Sequence, residues 1–260
     1  MTKITGRRLA ALFLIVAAQA AARAAPQAPT ADDHRIPEYE ASSVFTSKIG
    51  PFDRMADFTE RWQYGKLLDS RTLLAGAYWR AERHLKLGAF YELGYGERHD
   101  DDWVRDPSGL WAWRDTNRRP EHSLVLDATP RAELSFLPGH WVGSLKLRFK
   151  RNATADKDVA QIGPELAWFW MNGLTPRATI FLRAEGDLAL NFGGKTLWQK
   201  WYYLAGLWHA TPDISLGPSI ALRDETWSTS SSFQSFTGNK SYSVLYRAWV
   251  AGFTFVARLR

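Results

Sequence analysis

The chain has 260 residues, no Cys, and 33 Lys and Arg against 27 Asp and Glu. The absence of Cys excludes disulfide scaffolds, thiolate zinc sites and cysteine nucleophiles. Aromatic residues make up 14% of the chain, 13 of them Trp, which is too apolar a composition for a disordered protein. A mean hydropathy of −0.32 excludes a bundle of membrane helices.

Residues 1–24 read as a secretory signal. Lys3, Arg7 and Arg8 form a charged start, Leu9 to Ala18 an apolar middle, and Ala22-Arg23-Ala24 a small-residue cleavage site. The apolar middle is shorter than the ~20 residues that span a bilayer. The segment carries four basic and no acidic residues, so its removal leaves 29 basic against 27 acidic ones and cuts the net charge from +6 to +2. The basic balance therefore gives no reason to expect a nucleic-acid partner.

Residues 25–53, with Pro26, Pro29, Pro37 and Pro51 and no clear period, are expected to form an irregular N-terminal arm. From residue 54 onward the dominant signal has period two. In 122–136, Leu124, Leu126, Ala128, Ala132, Leu134 and Phe136 alternate with Ser123, Asp127, Thr129, Arg131, Glu133 and Ser135. In 141–151, Trp141, Leu145, Leu147 and Phe149 alternate with Ser144, Lys146, Arg148 and Lys150. In 177–190, Ala178, Ile180, Leu182, Leu188 and Leu190 alternate with Thr179, Arg183, Glu185 and Asp187. A helix would scatter these charges around its circumference, whereas a strand sorts them onto one face. Short turns near 82–84, 138–140, 172–176 and 211–213 alternate with longer polar loops near 65–69, 98–120, 152–158, 191–196 and 228–240. The pattern predicts an all-β, antiparallel up-and-down barrel over 54–260. It has ten strands, near 54–64, 70–81, 85–97, 121–137, 141–151, 159–171, 177–190, 197–210, 214–227 and 242–259, or twelve if part of 38–53 contributes. An even count puts both chain ends on the short-turn side.

Alternation does not say which face is inside. Three features favour charges inward and apolar residues outward toward lipid. Nine of the 13 Trp lie near predicted strand ends: Trp79, Trp141, Trp168, Trp170 and Trp208 by short turns, and Trp62, Trp198, Trp201 and Trp227 by long loops. Two interfacial girdles have this distribution. Full charges repeat along single strands, which suits a lumen lined with cross-strand ion pairs. The secretory signal adds to the asymmetry between turns and loops.

With the C-terminal strand Trp249-Val250-Ala251-Gly252-Phe253-Thr254-Phe255-Val256-Ala257, the layout resembles small Gram-negative outer-membrane β-barrels and, more distantly, the oligogalacturonate-specific porin group. The resemblance covers about 54–260 and is one of pattern, with no diagnostic motif. Such chains usually end in Phe or Trp, whereas this one ends Arg258-Leu259-Arg260. The resemblance implies the outer membrane as location and its lipid as partner.

The expected lumen residues are the basic Arg131, Lys146, Arg148, Lys150, Arg183 and Arg223, with Arg61 and Arg80, and the acidic Glu133, Glu165, Glu185 and Asp187, with Glu92, Asp127 and Glu225. About eight strands leave an interior that side chains fill, and open porins need about sixteen. Two readings follow: a structural plug of ion pairs, or a narrow conduit in which Lys146, Arg148 and Lys150 form a ladder passing small anionic or sugar-like solutes. The outer loop 98–120 carries Trp103, Arg105, Trp111 and Trp113, as a lid or a stacking surface.

Catalysis is not expected. His99-Asp100-Asp101-Asp102 reads as a solvated loop tip; the omptin proteases pair an Asp-x-Asp with an Asp-x-His, and no Asp-x-His lies within 54–260. His122 and Ser123 are adjacent and should diverge on a strand, unlike the His-x-Ser of outer-membrane lipid A deacylases. Gly193-Gly194-Lys195 lacks the spacing of a phosphate loop. No metal or cofactor is expected. A soluble exported barrel binding a small apolar ligand is the rival reading, and an outer-membrane hydrolase a further one.

Overall fold

The computed structural model describes residues 36–63, 69–97, 103–105, 111–113, 120–192, 197–228 and 243–260. These form strands β1 (Ile36–Ile49), β2 (Phe52–Gln63), β3 (Asp69–Glu82), β4 (Leu85–Glu97), β5 (Trp103–Arg105), β6 (Trp111–Trp113), β7 (Glu121–Glu133), β8 (His140–Asn152), β9 (Lys157–Asn172), β10 (Thr175–Ala189), β11 (Leu197–His209), β12 (Ile214–Ser228) and β13 (Ser243–Leu259). Eleven of them close into one barrel, in the order β1-β13-β12-β11-β10-β9-β8-β7-β4-β3-β2. The remaining two, β5 and β6, pair with each other as a small hairpin inside the stretch expected to be a loop.

The all-β barrel thus stands, with one strand more than the ten counted from periodicity. Residues 36–49, placed in the irregular arm, form β1. That strand pairs antiparallel with β2 and parallel with β13, from Ile36 opposite Ala248 to Ser47 opposite Leu259. An odd strand count forces one parallel contact, and it falls at the seam. The expectation that both chain ends share one side is corrected accordingly. The turn end holds Gly50-Pro51, Arg83-His84, Gly173-Leu174 and the C-terminus, while Ile36 starts at the opposite, loop end.

Turn chemistry follows the sequence. Gly50, Gly139 and Gly173 sit at φ of 54°, 88° and 61°, the left-handed region that a side chain opposes. At the loop end, 152–158 is no long loop: β8 and β9 are joined by four residues, with Asp156 at φ 55°. Asn152 Oδ1 accepts from the backbone N–H groups of Thr154 and Ala155 and holds this turn.

The ladder between β11 and β12 is interrupted between Ala205–Ser219 and Trp208–Leu216. Pro218 lacks an N–H to donate there, and its neighbour Gly217 lets the strands approach closely. A Cβ on Gly217 would lie 1.8 Å from the Gly206 carbonyl oxygen, while one on Gly206 would meet nothing within 4 Å. Gly217→Val should therefore lower stability by roughly 1–3 kcal/mol, the range of overpacked sites, and Gly206→Ala should change it by under about 0.5 kcal/mol. Urea unfolding followed by far-UV circular dichroism checks both; equal losses would contradict the close approach.

Candidate functional site: the lumen and its loop-end chamber

Alternation on a closed sheet gives each strand one inner and one outer set. The outer set of β10 is Ala178, Ile180, Leu182, Ala184, Gly186 and Leu188; that of β12 includes Ile214, Leu216, Ile220 and Leu222. Leu124, Ile180 and Leu182 are 52%, 45% and 58% exposed, whereas inward Asp127, Asp187 and Glu225 are 5%, 8% and 5% exposed. The outer wall is therefore apolar and the ionised groups are enclosed, the reverse of a water-soluble barrel.

Three outward ion pairs lie toward the loop end. Arg71 pairs with Glu60 at 2.9 Å, Arg151 with Asp158 at 3.0 Å, and Arg247 grips Asp224 through two bonds of 2.7 and 3.1 Å. At the turn end the outward face carries rings. Trp141 lies 6.4 Å from Trp168, and Trp170 lies 6.3 Å from Trp208. At the loop end Tyr39 stacks on Trp62 at 6.1 Å. Trp201 departs from the expected girdle: it is 4% exposed and points inward. It lies opposite Glu185 in the regular part of the β10–β11 ladder, an odd number of positions from outward Trp208, and a bulge begins only beyond it. Pairing of β10 with β11 moves from Asp187–Gln199 to Leu188–Leu197, which leaves Trp198 out of register and turns it to the mouth of the lumen. The side chain of Trp227 lies outside the described residues.

The lumen is filled by pairs. On β8, Lys146, Arg148 and Lys150 rise along the inner face as the spacing predicts. Arg148 donates to both oxygens of Asp127 at 2.7 and 2.8 Å, and Tyr78 Oη donates to the same carboxylate at 2.9 Å. Lys150 meets Glu92 at 2.5 Å. Gly163 separates Lys146 from Glu185 on the strand between, so no side chain stands between them. Arg183 reaches Glu185 at 3.4 Å and Glu165 at 4.0 Å, and lies 4.7 Å from the Tyr203 ring centroid. Gln161 donates to Asp187 at 2.8 Å. Arg131 is half-buried at the turn end, where its Nε donates to the Arg83 carbonyl at 3.4 Å; Glu133 is exposed beside it.

Two acidic partners escaped the sequence reading because they sit on β1. Glu38, 0% exposed, accepts from Arg223 at 2.9 Å, and Glu40 pairs with Arg61. The two guanidiniums lie 4.5 Å (Arg61) and 5.4 Å (Arg223) from the Trp201 ring centroid, a cation–π cluster across the barrel seam. Small apolar patches pack beside these pairs: Leu74, Phe90 and Val125 on one wall, Trp201, Ala221 and Val250 on another.

Above this packed waist, the loop-end half of the lumen holds a chamber of about 260 Å³. Its described wall carries the cations Arg61, Lys150, Lys157 and Arg223. It carries as many carboxylates, Glu92, Glu121, Asp187 and Glu225. Phe192 and Trp198 meet edge to face at 5.4 Å on one side, and Lys157 lies 5.1 Å from the Phe192 centroid.

His122 and Ser123 diverge as expected. His122 turns outward to bond Tyr91, while Ser123 is buried inside opposite Glu92 and Asn152. Near the turn end, His209 lies between Thr179 at 2.8 Å and Ser215 at 2.7 Å. Among the described residues no group of three His, Asp or Glu is arranged to hold a metal ion. His99 to Asp102 lie outside the described residues, and of Trp103, Arg105, Trp111 and Trp113 only the β5–β6 backbone pairing is described. The chain matches no protein family, no curated protein and no solved structure.

Removing one partner of an enclosed pair strands the other charge. Asp127→Ala should therefore cost roughly 3–5 kcal/mol, and Asp127→Ala with Arg148→Met together should cost less than Asp127→Ala alone. Denaturant unfolding of the three proteins decides; additive losses would mean the pair is not coupled.

Proposed function

We propose that this chain is a transmembrane β-barrel of a Gram-negative outer membrane, exported by a cleaved signal, whose lumen is closed at its waist by ion pairs. On this reading it is a membrane-embedded structural or binding barrel without catalysis, and not a diffusion pore. The observation that carries it is the inverted wall: Leu, Ile and Phe side chains half exposed on the outside, Asp, Glu and Arg enclosed. In water such a belt is an aggregation surface, since soluble monomers expose apolar patches of only about 300–600 Å². In acyl chains it costs nothing, and the closed sheet leaves no unpaired backbone edge. The barrel strands have 12–17 residues, enough for the ~9–11 that cross a bilayer at a tilt.

The waist argues against the anion ladder. Arg148 and Lys150 are each engaged by a carboxylate. A conduit needs sites that bind a passing ion more weakly than it can leave them, and fixed counter-charges already occupy these.

The test is gel migration of the detergent-extracted chain with and without boiling. A folded membrane barrel is expected to run faster unboiled than boiled; a chain that is monomeric and soluble without detergent would overturn the reading. In planar bilayers, wild type and Arg148→Glu should both lack a steady open current. An anion-selective current that Arg148→Glu reverses would instead establish the conduit. Because β1 runs parallel to β13, an epitope placed directly before Ile36 should label on intact cells, and one after Arg260 should not.

A further inference from the structure

The loop-end chamber lies beyond the ion-paired waist, and its wall has a definite chemistry. We propose that this chamber is a binding site for a neutral saccharide, with Trp198 as the stacking platform. The inference rests on the barrel and its lining, and the chamber is present whichever solvent surrounds the outer wall.

Four classes of ligand can be weighed against the wall. An apolar ligand would strip water from eight titratable groups and return no hydrogen bonds, a cost of several kcal/mol for each unmatched polar group. A simple anion meets four carboxylates for four cations, and three of the cations are committed: Lys150 to Glu92 at 2.5 Å, Arg223 to Glu38 at 2.9 Å, and Arg61 to Glu40. A simple cation meets four cations for four carboxylates, and each carboxylate already accepts a hydrogen bond, Glu92 from Lys150, Glu121 from Asn152, Asp187 from Gln161 and Glu225 from Gln199. A polyhydroxylated neutral ring fits all three features. Each hydroxyl both donates and accepts, so it suits a wall on which carboxylate acceptors interleave with ammonium, guanidinium and amide donors. Asn152 and Gln199 add amides to that wall; they already bond Glu121 at 2.8 Å and Glu225 at 3.3 Å, so the carboxylates are held in place before a ligand arrives. The C–H face of the ring suits an indole, and an edge-to-face pair such as Phe192–Trp198 uses only one ring face.

Size points the same way. About 260 Å³ lies just under the ~300–1,000 Å³ of ordinary small-molecule sites, which is room for one or two sugar rings. The bulge in β11 that turns Trp198 toward the mouth gives the platform a backbone origin, since bulges re-aim side chains at sites.

The experiment uses the full chain purified in detergent. It is screened on a glycan array carrying neutral hexose oligosaccharides, uronate oligosaccharides and sialylated glycans. The strongest neutral binder is then titrated by calorimetry, with inorganic phosphate as the anion control. A neutral saccharide is expected to bind, Trp198→Ala to weaken it about tenfold or more, and Trp198→Phe to retain most of it. Arg71→Gln, on the outer face where Arg71 meets Glu60 and away from the chamber, should leave neutral-sugar affinity within about twofold. Circular dichroism of each variant reports whether the sheet is intact. The proposal is overturned if no neutral saccharide binds, or if phosphate or uronates bind more tightly and lose that binding in Lys157→Gln. It is equally overturned if folded Trp198→Ala binds as wild type does.

Discussion

Closure of the sheet is the constraint on which the rest of the molecule depends. Eleven strands bonded edge to edge leave no free backbone row, and the last contact, β1 with β13, is parallel because the count is odd. Once the sheet is closed, each side chain has only two destinations. Two residues apart on one strand means the same destination, so a strand such as β10 commits Arg183, Glu185 and Asp187 together to the enclosed side. Enclosing them one strand at a time would be ruinous, because an unpaired ion in a narrow space carries a desolvation cost of several kcal/mol. The pairs across strands are therefore a consequence of closure. Arg223 with Glu38 is the clearest case: residues 185 apart in sequence meet only if the seam is shut.

The interior divides by what fills it. At the waist, Tyr78, Asp127 and Arg148 form a bonded unit beside Phe90 and Val125. Nearer the loop end the chamber opens, its wall lined among others by Lys150, Asp187 and Glu225. The same alternation thus yields a plug at one level and a pocket at another. The difference lies in side-chain length and pairing, not in the sheet.

Most of this architecture was legible in β7, β8 and β10, where Leu or Ile alternates with full charges and period two is unmistakable. β1 was not legible. Outward Tyr39, Phe45 and Ile49 do alternate with inward Glu38, Glu40 and Lys48, but Ala41, Ser42, Ser43, Thr46 and Ser47 between them are small or hydroxylated on both faces and blur the contrast. Pro37 at its start reinforced the reading as an arm. Missing β1 also hid Glu38 and Glu40, and with them the partners of Arg223 and Arg61. The lumen charges on β8, β10 and β12 were found because parity alone places them. The chamber was not found, because it depends on the bulge at Trp198 and on convergence of nine strands, and periodicity within one segment reports neither. Trp201 was misplaced although parity with outward Trp208 puts it inside.

The central claim is the inverted wall, and the absence of Cys from the chain makes it directly measurable. Single cysteines introduced in turn from Ala178 to Asp187 along β10 can carry a nitroxide spin label in lipid-reconstituted protein. Relaxation by oxygen, which concentrates in acyl chains, is then compared with relaxation by a water-soluble nickel chelate. The account predicts a period of two, with labels at Ile180, Leu182 and Ala184 relaxed by oxygen and those at Phe181, Arg183 and Glu185 shielded from it. Labels at Ile180 and Leu182 that respond to nickel instead, or a scan without alternation, would contradict it.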